Sequence, residues 1–301
     1  MALFGKTRDL LRGIGLPPGD DASLADSPQR FPDGGQYKWE LAGAVDAGAV
    51  ERLVERLDAR SLRLDQFTHT EGIMRLTDAE ITALVEVVAG ADRQLVMAAG
   101  PRGVWDVGGQ SLAPSAAAKA SSYRLRGMEQ LVRAVEDVRR AGELGVRGFL
   151  VFDEGLLDTL ARLRAAGDLP AETRFKASSN MGVGNPAHCR AVAALGADSV
   201  NLQRDLDLSM IAAARAVTAV PFDLHTDNPA ATGGFLRTYD IPDMIRVGAP
   251  VYLKTGNAAQ VVFDAPLGET EIAGIVHQIE VEAEMIARHA PELRPSLERE
   301  F

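Results

Sequence analysis

The chain has very little cysteine: Cys189 is the single thiol among 301 residues. One thiol cannot close an internal disulfide, and alone it cannot hold zinc or an iron–sulfur cluster. A disulfide scaffold, a cysteine-based metal centre and an iron–sulfur cofactor are therefore excluded, and a reducing, cytoplasmic setting is the expectation. Basic runs are also missing. The 32 lysines and arginines are outnumbered by 42 aspartates and glutamates, giving a net charge of −10. Bulk attraction to nucleic acid or to an anionic membrane is not expected of such a chain. No stretch approaches the roughly 20 apolar residues that span a bilayer. At the N-terminus, charges interrupt MALFGKTRDLLRGIG and no small-residue cleavage site follows, so no signal peptide is read there.

What is present is an ordinary globular composition, 46% hydrophobic and 25% charged. Residues 1–35 stand apart: after an apolar and basic start comes PPGDDASLADSPQRFPDGG, which reads as an irregular N-terminal arm. From Tyr37 onward, strand-like runs alternate with segments of helical period. The strand candidates are 37–43, 61–67, 93–99, 147–153, 173–179, 198–203, 220–225 and 250–255. Helix candidates lie near 46–59, 78–89, 127–143, 155–166, 187–195, 207–217, 240–247 and 268–289. Strict alternation argues for a parallel sheet with helical crossovers. Eight units in about 250 residues is the count of a (β/α)₈ TIM barrel. A doubly wound sheet is the structural alternative, but no G-x-G-x-x-G follows the first strand. The expected organisation is an arm over 1–35, one α/β barrel over 36–290 and a tail over 291–301.

Local signals support this parse. Asn185-Pro186 and Asn228-Pro229 read as a cap or turn residue followed by proline, and Thr77 with Glu80 has capping-box spacing. The segment from Gly100 to Arg126 is far longer than ordinary barrel loops. It reads as a lid or binding loop, against a packed surface excursion or a contact between copies in a homo-oligomer.

In such a barrel the active site lies at the C-terminal ends of the strands, and alternate strand residues share a face. On the seventh strand Asp223, His225 and Asp227 alternate; on the fifth, Lys176, Ser178 and Asn180; on the eighth, Tyr252 and Lys254, with Asn257 just beyond. Asn201 and Gln203 share a face on the sixth strand, Lys38 and Glu40 on the first. The fourth strand ends in Asp153-Glu154, one of which should point inward. The second presents Asp65, with His69 and Glu71 past its end, and the third ends in Gly100-Pro101-Arg102. Charges at strand ends mark a polar site, though lysine and aspartate on neighbouring strands also form purely structural ion-pair networks.

Two chemistries fit. Lys176 or Lys254 forms a Schiff base with a carbonyl substrate, the other lysine lowering its pKa, while Asp153, Glu154 or His225 moves protons. Alternatively, Asp223, His225 and Asp227 bind a divalent metal that polarises a carbonyl, with Glu40, Glu154 or His69 as a further ligand. Arg102, Asn180, Asn201, Arg204 and Asn257 are the candidate substrate-binding residues. The remaining features have bland readings. His188, His277 and His289 are structural or surface residues and Cys189 an inert buried thiol; the glycines at 182, 184, 233 and 234 satisfy turns rather than cradle phosphate.

Residues 195–216, LGADSVNLQRDLDLSMIAAARA, resemble the U32 peptidase-like family. There a strand bearing L-x-R-[ED]-L-x-L leads into a helix, matched here by Leu202, Arg204, Asp205, Leu206 and Leu208. The resemblance extends over roughly 120–257. It implies an α/β barrel, peptidase activity, and functional roles for Arg204 and His225. Where that family carries H-G-x-x-C, this chain has HTDNPAATGG, keeping His225 without the cysteine. The leading reading is an enzyme acting on a small anionic carbonyl or amino-acid-like substrate by lyase, aldolase or isomerase chemistry. The alternatives are a U32-like hydrolase using metal-activated water, and a non-catalytic barrel that binds a ligand or partner.

Overall fold

The structure, a computed structural model, describes residues 3–100, 123–230, 233–260 and 265–299. Eight parallel strands close into a barrel: β1 (Tyr37–Gly43), β2 (Gln66–His69), β3 (Gln94–Ala98), β4 (Gly148–Val151), β5 (Arg174–Ala177), β6 (Ser199–Asn201), β7 (Phe222–His225) and β8 (Val251–Lys254). Each strand pairs with its sequence neighbours. The ring shuts where β1 meets β8, with Tyr37 opposite Val251 and Glu40 opposite Lys254. Around it run α2 (Ala47–Asp58), α3 (Asp78–Gly90), α4 (Gly127–Glu143), α5 (Glu154–Ala166), α6 (Pro186–Ala194), α7 (Leu208–Arg215), α8 (Ile241–Gly248) and α9 (Glu269–His289), after a short α1 (Gly5–Gly13). The TIM barrel expected from the alternation is thus the fold.

Side-chain caps fix several helix starts. Asp46, Asp153, Asn185 and Asp207 each accept a backbone N–H in the first turn of the following helix. Thr77 and Glu80 complete a reciprocal capping box. Two local expectations are corrected. The second strand begins at Gln66 rather than 61, because Ser61 takes a left-handed conformation with φ of 56° and ends the preceding turn. Of the two readings of Asn228-Pro229, cap or turn, the helix cap is not found: Asp227–Asn228 pair antiparallel with Phe235–Leu236 as a small ribbon, and the next helix begins at Ile241, where the helix candidate near 240–247 places it.

The apolar core lies between the outward faces of the strands and the helices, from Leu41 and Phe67 round to Phe222 and Leu253. Inside the barrel the only apolar cluster among the described residues is Val96, Ala98 and Leu150. Polar side chains fill the rest. The closed end of the barrel is covered by both flanking segments. From the arm, Phe31 packs edge-on against Tyr252 with ring centroids 5.5 Å apart. From the other flank, Gln36 N–H donates to the Arg294 carbonyl at 2.7 Å and Ser296 N–H to that of Tyr37 at 2.8 Å. Lys38 Nζ donates to the carbonyl of Glu298 at 2.6 Å, and Gln94 Nε2 to that of Arg299 at 3.0 Å.

Candidate active site

Period-two alternation on β1, β2, β5, β7 and β8 aims Glu40, Gln66, Lys176, Asp223 and Lys254 at one another across the barrel axis. Lys176 Nζ donates to Glu40 Oε2 at 2.7 Å, and also to Asp223 and to Gln66. Lys254 Nζ lies 3.1 Å from Glu40 Oε1 and donates to Asn201 Oδ1 at 2.8 Å. Thr68 donates to Glu40 Oε1 at 2.7 Å. Two lysine amines and two carboxyl groups therefore share one buried network. Below it Gln66 and Tyr252 both donate to Gln94 Oε1, at 3.0 and 3.3 Å.

The two lysines are unlike. Burial opposes the charge on Lys176, but Asp223 and Glu40 outweigh it and hold its pKa above the ordinary value. That ammonium is fixed. For Lys254 burial wins: Glu40 opposes the shift, Lys176 adds to it, and the pKa falls below the usual lysine range. Glu40 is buried too, yet Lys176 and Lys254 hold it ionised. Burial pushes Asp223 upward against the pull of Lys176, with Glu40 adding to the rise, so Asp223 is the carboxyl that takes a proton first.

Lys254 also lines a cleft at the open, C-terminal end of the barrel, with Ser178, Asn180, Arg204, His225, Asn228 and Asn257. Leu150, Phe152 and Tyr123 give it an apolar wall. No carboxylate occurs among the described lining residues. Arg204 is partly buried, its Nε finds no hydrogen-bond partner among the described residues, and burial lowers its pKa. Both ring nitrogens of His225 are likewise buried with no hydrogen-bond partner among the described residues. Burial, Lys254 and Arg204 together keep this histidine well below its normal pKa, so it is a neutral imidazole at neutral pH.

Lys176, Asp223, Lys254 and Asn201 thus meet in the network, and Lys254, His225, Arg204, Asn180 and Asn257 at the cleft. Others from the sequence are placed apart. Neither Asp153 nor Glu154 points inward, because Phe152 holds the inward position and lines the cleft. Asp153 caps α5 through Leu156 N–H at 2.9 Å and also accepts from Leu125 N–H at 3.1 Å. Glu154 pairs with Arg124 at 3.0 Å. Asp65 lies at the opposite end of the barrel, accepting the Trp39 N–H at 2.8 Å and bonding Arg63. Arg102 falls outside the described residues.

The trio Asp223, His225 and Asp227 does not converge as a metal site. Among the described residues no three histidine, cysteine or carboxylate groups do. The reason is local: Asp223 faces Lys176, while Asp227 turns both oxygens to the loop after β8, accepting the N–H groups of Asn257 and Ala258 at 3.0 Å each. Cys189 is buried, which pushes its thiol up to about 11 and leaves it unreactive.

Sequence reasoning underweighted Glu40 and missed Glu282. Glu40 alternates with Lys38 on β1, a readable signal; its meeting with two lysines more than a hundred residues away is not. Glu282 sits on α9, wholly buried, where Gln278 Nε2 donates to it at 2.8 Å. Burial pushes its carboxyl up to about 7, and the hydrogen bond from Gln278 only partly opposes this.

Among the described residues no helix is long and apolar enough to cross a membrane. No family model matches the chain, and no curated protein does either. Solved structures do. A U32 peptidase is 15% identical over 66% of this chain and 72% of its own, with a TM-score of 0.43. An aldolase from Escherichia coli K12 is 14% identical over 83% of this chain and 90% of its own, at 0.49. A dihydrodipicolinate synthase from Bacillus clausii is 12% identical over 73% of this chain and 69% of its own, at 0.43. These likenesses are distant, and the U32 peptidase among them does not assign the chain to that family. The chain is a (β/α)₈ barrel by its own strand register.

Proposed function

We propose that this protein is a lyase or aldolase that forms a Schiff base through Lys254 with a small anionic carbonyl compound. The observation that carries the reading is the composition of the cleft: a lysine of lowered pKa, an arginine with no carboxylate partner among the described residues and a neutral histidine, with no acid among the described lining residues. Arg204 and the amides of Asn180 and Asn257 hold the substrate's anionic group. Lys254 Nζ, as the free amine, attacks the carbonyl carbon, and loss of water gives an iminium ion. Lys176 remains an ammonium throughout, and its charge adds to burial in favouring the free-amine form of its neighbour. His225 then takes the proton of the substrate's hydroxyl as the adjacent carbon–carbon bond breaks, and the iminium receives the electron pair.

The test is borohydride reduction in the presence of a panel of small 2-oxo acids, followed by peptide mass mapping. The expected result is an adduct on Lys254 that is lost in Lys254→Met and weakened at least tenfold in Arg204→Gln. An adduct confined to other lysines, or none across the panel, refutes the assignment.

A further inference from the structure

A second cavity, of about 230 Å³, opens at the closed end of the barrel, between the N-terminal arm and the strand floor. The side chains of barrel interiors normally pack in filled layers, and this space is several times the roughly 30 Å³ that a water takes up in the liquid. Its inner wall is apolar and aromatic: Phe31, Val96 and Tyr252, all buried, with Phe31 and Tyr252 already set edge to face. Lys176 borders it too, but its ammonium is committed to Glu40, Asp223 and Gln66. At the outer end stand Arg30 and Arg174, whose guanidinium groups donate, among the described residues, to backbone carbonyls: Arg30 to Ser27 and Gln29, Arg174 to Ala171 and Thr173. The exposed Glu172 lies within electrostatic reach of Arg174, but its hydrogen bond goes to Arg147. The one acid in the lining, Asp198, is engaged by Arg164 at 2.7 Å and by the Phe175 N–H at 2.8 Å.

We infer that this cavity is a binding site, separate from the Lys254 cleft, for a small carboxylate with a ring or branched apolar body. The polarity of the lining fixes the orientation. The apolar body goes inward against Phe31, Val96 and Tyr252, where aromatic faces and edges stack with a ring. The carboxylate stays at the outer end on Arg174 and Arg30, because a planar guanidinium hydrogen-bonded to no carboxylate among the described residues receives two carboxylate oxygens side by side. The volume lies below the range of drug-sized pockets, so the occupant is of about benzoate size.

The probe is benzoate, with cyclohexanecarboxylate as the non-aromatic analogue and benzyl alcohol as the uncharged one, titrated calorimetrically into the full chain. Expected is saturable one-to-one binding of both acids in the millimolar range or tighter. Benzyl alcohol should bind at least about tenfold more weakly, the factor that loss of a charge-assisted hydrogen bond confers. Arg174→Gln, at the half-exposed rim, should weaken the acids by a similar factor, Val96→Phe should abolish binding by filling the inner end, and Arg204→Gln at the opposite mouth should leave it unchanged. Absence of binding by both acids overturns the inference. So does binding that survives Arg174→Gln undiminished, binding lost in Arg204→Gln, or equal affinity for benzyl alcohol. Because the readout is binding and the control lies at the other end of the barrel, failure here leaves the Schiff-base assignment untouched, and the converse holds.

Discussion

Replacing Lys176 by methionine separates the structural lysine from the reactive one. The substitution keeps an unbranched apolar stem against the ring of Tyr252, over which Nζ lies 4.3 Å from the centroid, and removes only the ammonium. That ammonium serves Glu40, Asp223 and Gln66. Removing one partner of a buried ion pair costs about 3–5 kcal/mol. Proton uptake by Asp223, already the more easily protonated carboxyl, offsets part of this by leaving one ammonium and one carboxylate. A loss of about 3 kcal/mol is therefore expected at neutral pH, or roughly 5 °C in Tm for a chain of this size. The pH dependence has a definite sign. A carboxyl whose folded pKa lies above its unfolded one contributes stability that is complete below the unfolded pKa and is lost as pH rises through the folded one. Asp223 is such a group, so the deficit of Lys176→Met grows toward alkaline pH. Lys254→Met removes the ammonium 3.1 Å from Glu40 and strands the amide oxygen of Asn201, but leaves Lys176 bound to both carboxyls and Thr68 donating to Glu40 Oε1, so a smaller loss of about 1–2 kcal/mol is expected. Urea unfolding followed by circular dichroism, at neutral and alkaline pH, measures all four quantities. Equal costs for the two variants, or a larger one for Lys254→Met, would refute the assignment of Lys176 as the fixed charge of the pair.

Other outcomes follow from the same geometry. Glu282, with its folded pKa raised to about 7, contributes stability that is present below the unfolded carboxylate range and lost as pH rises through about 7. Glu282→Gln should therefore match wild type in acid and exceed it by up to about 3 kcal/mol at alkaline pH, and a Tm that falls in parallel for both proteins would count against this. Asp227→Ala removes the acceptor for two loop N–H groups and should cost about 2 kcal/mol, with faster amide exchange at Asn257 and Ala258 than elsewhere on that side of the barrel. Asp153→Ala should lose about 1 kcal/mol as a helix cap while leaving borohydride trapping of Lys254 intact; loss of trapping at unchanged stability would return Asp153 to the chemistry.

The barrel was legible because buried parallel strands and surface helices leave different periods in a sequence, and β1 is found over the very residues that its pattern marks. The inward faces were legible too: alternation alone placed Lys176 with Ser178, Asp223 with His225 and Tyr252 with Lys254. What each inward group meets was not, since it depends on closing the ring. Glu40 and Lys176 are 136 residues apart, and nothing local records that they share a hydrogen bond. Adjacent acids at the end of β4 misled for a related reason. The strand ends at Val151, Phe152 takes the inward place, and Asp153 is left to the helix that follows. On α9 a glutamate inside an apolar stripe looks like any helix surface residue until its neighbours are known, so Glu282 carried no signal.

The way the floor of the barrel is sealed has a kinetic consequence. Lys38 reaches the carbonyl of a residue 260 positions further along the chain, and Gln94 one that is 205 positions further. Contacts this remote in sequence reward the chain only after its intervening loops have been ordered, and proteins dominated by them fold slowly. The seal over β1 and β3 should consequently be among the last parts to form. Until it does, the Tyr37 carbonyl lacks the N–H of Ser296, and that end of an otherwise assembled barrel remains a wet, unfinished edge open to chaperones or to mispairing with another copy.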